Sequence, residues 1–180
     1  GAVIIGFGVI LLFAYNWAAM PKAAKLATVF VSLTAAHAGG LWLYRSSERF
    51  QALGEALTVL GSMLFGSGIW LIAQIYHINE HFPTAFLVWG LGAAALAWAM
   101  PSVAQGVLAA ALLAAWGASE AIGFDYSQWL APLLLAAVLG PLAWRQRSRV
   151  LTGVLIPALA VAAVSSVGAA QEELVIPLLL

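Results

Sequence analysis

The residues able to do chemistry in this chain are few. His77-x-x-Glu80-His81 has the H-x-x-E-H order of inverted zinc proteases. On a helix, residues four apart share a face, so both imidazoles could hold one zinc ion. The third ligand would have to come from Glu120, Asp125 or Glu172, and no spacing supports any of them. The motif also sits just before Pro83, where a helix tends to end. A solvated interfacial loop is the favoured reading of these three residues. Nearby, Ser67, Gln74 and His77 share a face by helical spacing, and Asn16 and Trp17 fall at the same expected depth. With Tyr76 they make a candidate outward-facing polar pocket: Asn16, Trp17, Gln74, Tyr76 and His77. A glutamine in an apolar zone is costly unless paired, so a bond to a neighbouring helix is the simpler account of Gln74.

His37 is the one ionisable group well inside an apolar run, with Thr34 on the same face. It is a proton-relay candidate, and its structural alternative is a neutral imidazole bonded to another helix. Glu55 stands at the start of its run, where a carboxylate favours a helix N-terminus. The chain has no phosphate-cradling loop, no Gly-x-Ser-x-Gly elbow and no dinucleotide fingerprint, and Gly6-x-Gly8 lies inside an apolar run. No cofactor is expected.

These residues must be positioned by elements that live in a bilayer. The 180-residue chain is 64% hydrophobic and 8% charged, with mean hydropathy +1.01, against about 25% charged residues in a soluble domain. Net charge is zero, which gives nucleic acid no basic surface to meet. The absence of cysteine excludes a disulfide framework and a cysteine metal site. No basic segment precedes the first apolar run, and further runs follow it, so a cleaved signal peptide is not expected. The chain opens and stops inside apolar runs, which reads as a fragment of a longer polytopic protein.

A helix needs about 20 apolar residues to cross the hydrocarbon core. Runs suited to this occupy about 1–19, 23–43, 54–76, 83–100, 102–119, 128–144 and 150–169. Gln171-Glu172-Glu173 would lead into a truncated eighth. Barrel strands would alternate polar and apolar residues, and these runs do not. Most prolines sit at run starts, where a missing N–H costs nothing; Pro132, Pro157 and Pro177 are the exceptions, and Pro157 should kink its helix. Lys22 and Lys25 fall on one side, and Arg45, Arg49, Arg145, Arg147 and Arg149 on the other. The positive-inside rule puts the arginine side in the cytoplasm, together with the end preceding Gly1. Trp17, Trp42, Tyr44, Trp98, Trp116, Trp129 and Trp144 lie near run ends, as a headgroup-level belt would. Trp70 and Trp89 lie deeper and should pack between helices.

Gly1, Gly6, Gly8 and Leu11 recur as Gly61, Gly66, Gly68 and Leu71. This suggests a parallel repeat of helical hairpins, with units 1–44 and 61–100, an arrangement known in transporters. Chance matching of glycine-rich helices is the alternative. Gly54, Gly61 and Gly68, with Thr58, should form a smooth stripe for close helix approach, and Thr28, Ser32 and Gly39 a similar one in the preceding run.

At Gly6-Phe-Gly8-Val-Ile-Leu-Leu-Phe-Ala-Tyr-Asn16-Trp17, with Pro21 and Lys25, and at Leu71-Ile-Ala-Gln74-Ile-Tyr76-His77, the chain resembles the bacterial integral-membrane family called domain of unknown function 2157. The resemblance covers about residues 1 to 100. It implies a multi-pass protein of the bacterial inner membrane without an established biochemical role. It carries the family motif onto Asn16, Trp17, Gln74, Tyr76 and His77. Glu80 and His81 are outside that motif.

The expected architecture is an all-α polytopic transmembrane bundle forming a single domain, with seven spans and a truncated eighth. The expected function is a membrane protein, not an enzyme, that binds a small ligand or lipid at its outer face. A secondary transporter and a membrane-embedded zinc hydrolase are the alternatives. The expected partners are the lipid bilayer and a second copy or another membrane protein, not nucleic acid.

Overall fold

The computed structural model describes residues 19–77 and 81–175, and within them all regular structure is helical. The chain enters α1 (Lys22–Ser46) through Pro21, whose φ of −63° suits the residue just before a helix. A single 3₁₀ turn, Glu48–Phe50, leads into α2 (Gln51–Tyr76). Pro83 opens α3 (Pro83–Ala99) at a position where no N–H is needed. Met100 and Pro101 turn the chain into α4 (Val103–Phe124), capped by the Ser102 hydroxyl, which accepts from the Gln105 N–H at 3.1 Å. α5 spans Leu130–Gln146 and α6 spans Arg149–Val175.

Consecutive helices run antiparallel. Gly40 of α1 meets Gly54 and Thr58 of α2, His37 meets Gly61, and Val29 meets Gly68. A Cβ at Gly54 would lie 2.5 Å from the Tyr44 amide nitrogen and 2.6 Å from the Gly40 carbonyl. Only hydrogen fits there, and the backbones close up along this line as the glycine spacing predicts. The partner stripe on α1 differs from the expected one. Gly40 carries it, whereas a Cβ at Gly39 would meet nothing within 4 Å. Thr28 and Ser32 spend their hydroxyls on α1 carbonyls one turn back. The α1–α2 hairpin meets the remaining helices where Trp89 covers Gly66 and where the Trp70 and Phe86 rings sit edge to face at 5.9 Å.

The core lies among α3, α4, α5 and α6. It is built from alanines at Ala93, Ala97, Ala109, Ala110 and Ala162, filled by Leu113, Leu135, Leu139, Leu142 and Leu151. Outside it the surface is apolar: Val31, Trp42, Ile122, Leu133, Trp144, Ile156 and Val164 are all exposed. A water-soluble chain does not leave so much apolar surface uncovered; a lipid-facing one does.

Four helices are long and apolar enough to cross a membrane: α1, Glu48–Tyr76, α4 and Arg149–Ala170 of α6. α3 and α5 are apolar but shorter. The six runs expected between 23 and 169 are the six helices α1 to α6, four of them of spanning length and two shorter among the described residues, so these residues support four spans by length and composition and not a total of seven. The first expected span lies outside those residues. The polar triplet 171–173 does not separate two helices, because α6 runs unbroken to Val175. Glutamine and glutamate are good helix formers and break nothing by being polar. Likewise α4 does not end with its apolar run at 119: it continues to Phe124 and ends where Asp125 turns left-handed (φ 52°).

Inside α5, Leu135–Leu139 forms a wide π turn between two α segments. Pro141 is the cause: it has no N–H and crowds the carbonyls of the preceding turn. The indole N–H of Trp98 donates to the Val138 carbonyl at 3.0 Å, so a neighbouring helix satisfies backbone that this break disturbs. Pro132, by contrast, sits in the first turn of α5, where it is tolerated.

Candidate functional site

The antiparallel topology gathers the polar side chains at two ends. Lys22, Tyr76, His77, His81, Glu120 and Asp125 share one end, and Arg45, Arg49, Glu55, Ser102, Arg145, Arg147 and Arg149 share the other.

At the first end the best-built feature is a buried carboxylate. Glu120, in the last turn of α4, is only 5% exposed. Its Oε1 accepts from the Trp116 indole N–H at 3.0 Å, one helical turn back, and its Oε2 lies 2.6 Å from His81 Nε2. With the carboxylate ionised, Nε2–H donates and the pair is charge-assisted. His81 stacks on Phe124 at 4.0 Å between ring centres, and Phe124 in turn touches Phe82. The α3 entrance is thereby clasped to the end of α4. Beside this clasp a groove of about 370 Å³ runs between α2 and α3. Ile69, Ile72, Phe82 and Val88 supply its apolar walls, and His81 and Thr84 its polar groups. Its volume falls within the range of small-molecule sites.

The structure places the sequence candidates around this clasp. Gln74 and Tyr76 are exposed near the end of α2, and Lys22 lies over the Tyr76 ring at 5.3 Å. Ser67 bonds to the Met63 carbonyl of its own helix. His77 does not continue the helical face of Gln74: it caps α2 in the left-handed conformation, φ 54°, with its N–H directed to the Ala73 and Gln74 carbonyls. Asn16, Trp17 and Glu80 lie outside the described residues. Because His77 leaves helical geometry, the four-residue helical spacing between His77 and His81 does not form. Among the described residues no group of three or more His, Asp or Glu side chains is placed to hold a metal. His37 is half-buried against Gly61, with its Nδ1 donating to the Leu33 carbonyl at 3.1 Å, a local bond within α1 rather than one to a neighbouring helix.

Sequence reasoning missed two things. Glu120 falls just past the apolar run 102–119, and the signal that could have placed it on the helix is its four-residue spacing from Trp116. At the opposite end, Glu55 Oε1 accepts from the Ser102 hydroxyl at 2.5 Å, tying α2 to the start of α4. One turn into α4, the Gln105 side chain is fully buried and neither its Nε2 nor its Oε1 makes a hydrogen bond among the described residues.

Comparison with curated proteins and with solved structures finds no match. A family model described as "Predicted membrane protein (DUF2157)" matches residues 1–106, from the N-terminal apolar run into the first turn of α4. The match takes in both motifs that carried the sequence resemblance, and the chain belongs to this DUF2157 family of membrane proteins.

Proposed function

We propose that this membrane protein binds a small amphipathic molecule in the groove between α2 and α3, with the polar end of the ligand at His81. The observation that carries this reading is the apolar groove with a half-exposed imidazole at its mouth, held in place by buried Glu120. In the neutral imidazole with Nε2–H donating to Glu120, the ring nitrogen left over is Nδ1, a hydrogen-bond acceptor. The ligand class that fits is an apolar chain or ring system bearing a hydroxyl or amine donor. Gln74, Tyr76 and His77 border this end, and Asn16 and Trp17 join them in the family motif. The excess of arginines over lysines supports an orientation with the groove on the outer face of a bacterial inner membrane and the arginine end in the cytoplasm.

The test uses the full chain in detergent and a pyrene-tagged long-chain alcohol, read by energy transfer from tryptophan. Saturable binding is expected, weakened at least tenfold by Ala85→Trp, which fills the groove, and left intact by Ala38→Trp on α1. Binding that does not saturate, or that Ala85→Trp leaves unchanged, would overturn the reading. In cells, His81→Cys in this cysteine-free chain should react with a membrane-impermeant thiol reagent; protection there with labelling of Arg147→Cys would reverse the orientation.

A further inference from the structure

We propose a second site at the opposite end of the bundle: a cleft at the α5–α6 turn that holds an anionic phospholipid. The cleft is open to the surface, with a volume of about 710 Å³. Arg147 and Arg149 both line it, and among the described residues neither guanidinium has a carboxylate within 4.0 Å. Two cations on one concave surface hold an anion more strongly than scattered surface charges do, and the planar guanidinium fork suits bidentate bonding to two oxygens of a phosphate.

The backbone adds an independent observation. Arg147 ends α5 in the left-handed conformation, φ 48°. Glycine or asparagine takes that position at little cost, whereas other residues lose on the order of 1 kcal/mol there. Arginine here carries that cost, as His77 and Asp125 do at the ends of α2 and α4, and of the three caps it is the one that lines a cleft beside a second arginine.

The rest of the cleft specifies the tail. Gly153, one turn into α6, has open space where a Cβ would be, so a smooth trough continues along α6 to Ile156. Trp144, 87% exposed, forms the facing wall. α6 is one of the four helices fit to cross the membrane, and its first residue is Arg149, so the two arginines stand at headgroup level and the trough descends toward the acyl chains. Charge at the top and a groove below match a diacyl lipid of net negative charge, as basic pockets between helices do. Free phosphate shares the headgroup chemistry but has no use for the trough.

The test is native mass spectrometry of the full chain released from nanodiscs of equal phosphatidylglycerol and phosphatidylcholine. Retention of phosphatidylglycerol over phosphatidylcholine by at least fivefold is expected. Arg147→Gly combined with Arg149→Gln should abolish the preference, while Arg147→Gly alone should leave the melting temperature unchanged or raise it. Gly153→Leu should cut lipid retention severalfold without touching the arginines. Equal retention of the two lipids, or a preference that survives the double arginine variant, would overturn the proposal. So would a phosphatidylglycerol preference that Gly153→Leu leaves intact and that millimolar inorganic phosphate displaces, since that result would identify a free-phosphate site. Arg149→Gln and Gly153→Leu keep the test decisive if the double variant fails to fold.

Discussion

Gly39 and Gly40 are adjacent in sequence and opposite in consequence. Alanine at Gly39 adds a methyl that meets nothing within 4 Å. Replacing a helix-interior glycine by alanine gains about 0.5–1 kcal/mol through reduced backbone entropy loss. Alanine at Gly40 gains the same term but drives its Cβ to 2.8 Å from Thr58 Cγ2 and 2.9 Å from both the Gly54 carbonyl and the Thr58 amide nitrogen. Two of those three atoms are backbone, so no rotamer change relieves them, and α1 must move off α2. Overpacking of this kind costs about 1–3 kcal/mol, and lost contact along Gly54, Gly61 and Gly68 adds to it. The net expectation is a stabilised Gly39→Ala and a Gly40→Ala destabilised by up to about 2.5 kcal/mol, the overpacking cost less the alanine gain. Reversible unfolding of the detergent-solubilised chain in a denaturant series measures both against the parent. If Gly40→Ala is as stable as Gly39→Ala, the close approach does not hold the hairpin together, and the argument from small-residue spacing fails.

Gln105→Met should stabilise the chain by about 1–3 kcal/mol, because it removes a buried amide that no group among the described residues pairs and keeps its volume; a loss of stability would mean that the amide is paired in the membrane. Glu120→Ala should lower stability by about 2–4 kcal/mol, since it strands the Trp116 and His81 donors, with Glu120→Gln costing clearly less; equal unfolding midpoints for the two would refute the clasp. Trp98→Phe should destabilise by about 1 kcal/mol by removing the donor to the Val138 carbonyl. In a Pro141→Ala background, where a backbone N–H returns to the π turn, the same change should cost less. The double-mutant cycle reads this coupling directly.

The helical class, the membrane setting and the α2 glycine stripe are legible in the sequence because each depends on composition or on a period within one element. The helix ends were not, because hydropathy alone ends a run at any polar residue. Glu120 is polar but buried, its carboxylate met by His81 at the entrance to α3 and by Trp116 of α4, so α4 runs on past it. The arginine cluster at 145–149 does mark a real turn, since it coincides with the left-handed Arg147. The site was legible only by region. His81 and Glu120 lie far apart in the chain and meet because α3 and α4 are antiparallel, a relation that no local pattern encodes. Nor does local spacing reveal that His77 leaves the helix, which dissolves the face it was expected to share with Gln74.

The π turn of α5 sets the angular phase of everything beyond it. In an uninterrupted α-helix each residue advances about 100°, so Leu139 would have drifted roughly 80° around the axis from Ala131. The wider turn winds more slowly and cancels most of that drift. Leu139 stays in line with Leu135, and Leu142 and Ala143 remain buried beyond it. By the same rotation Trp144 faces outward. Deleting one residue between Leu135 and Leu139 would restore ordinary pitch with four residues sweeping about the angle that five sweep now, and the arginine turn would keep its direction. Closing the π turn without a deletion would instead swing the basic end of the bundle around the helix by about a quarter of a revolution.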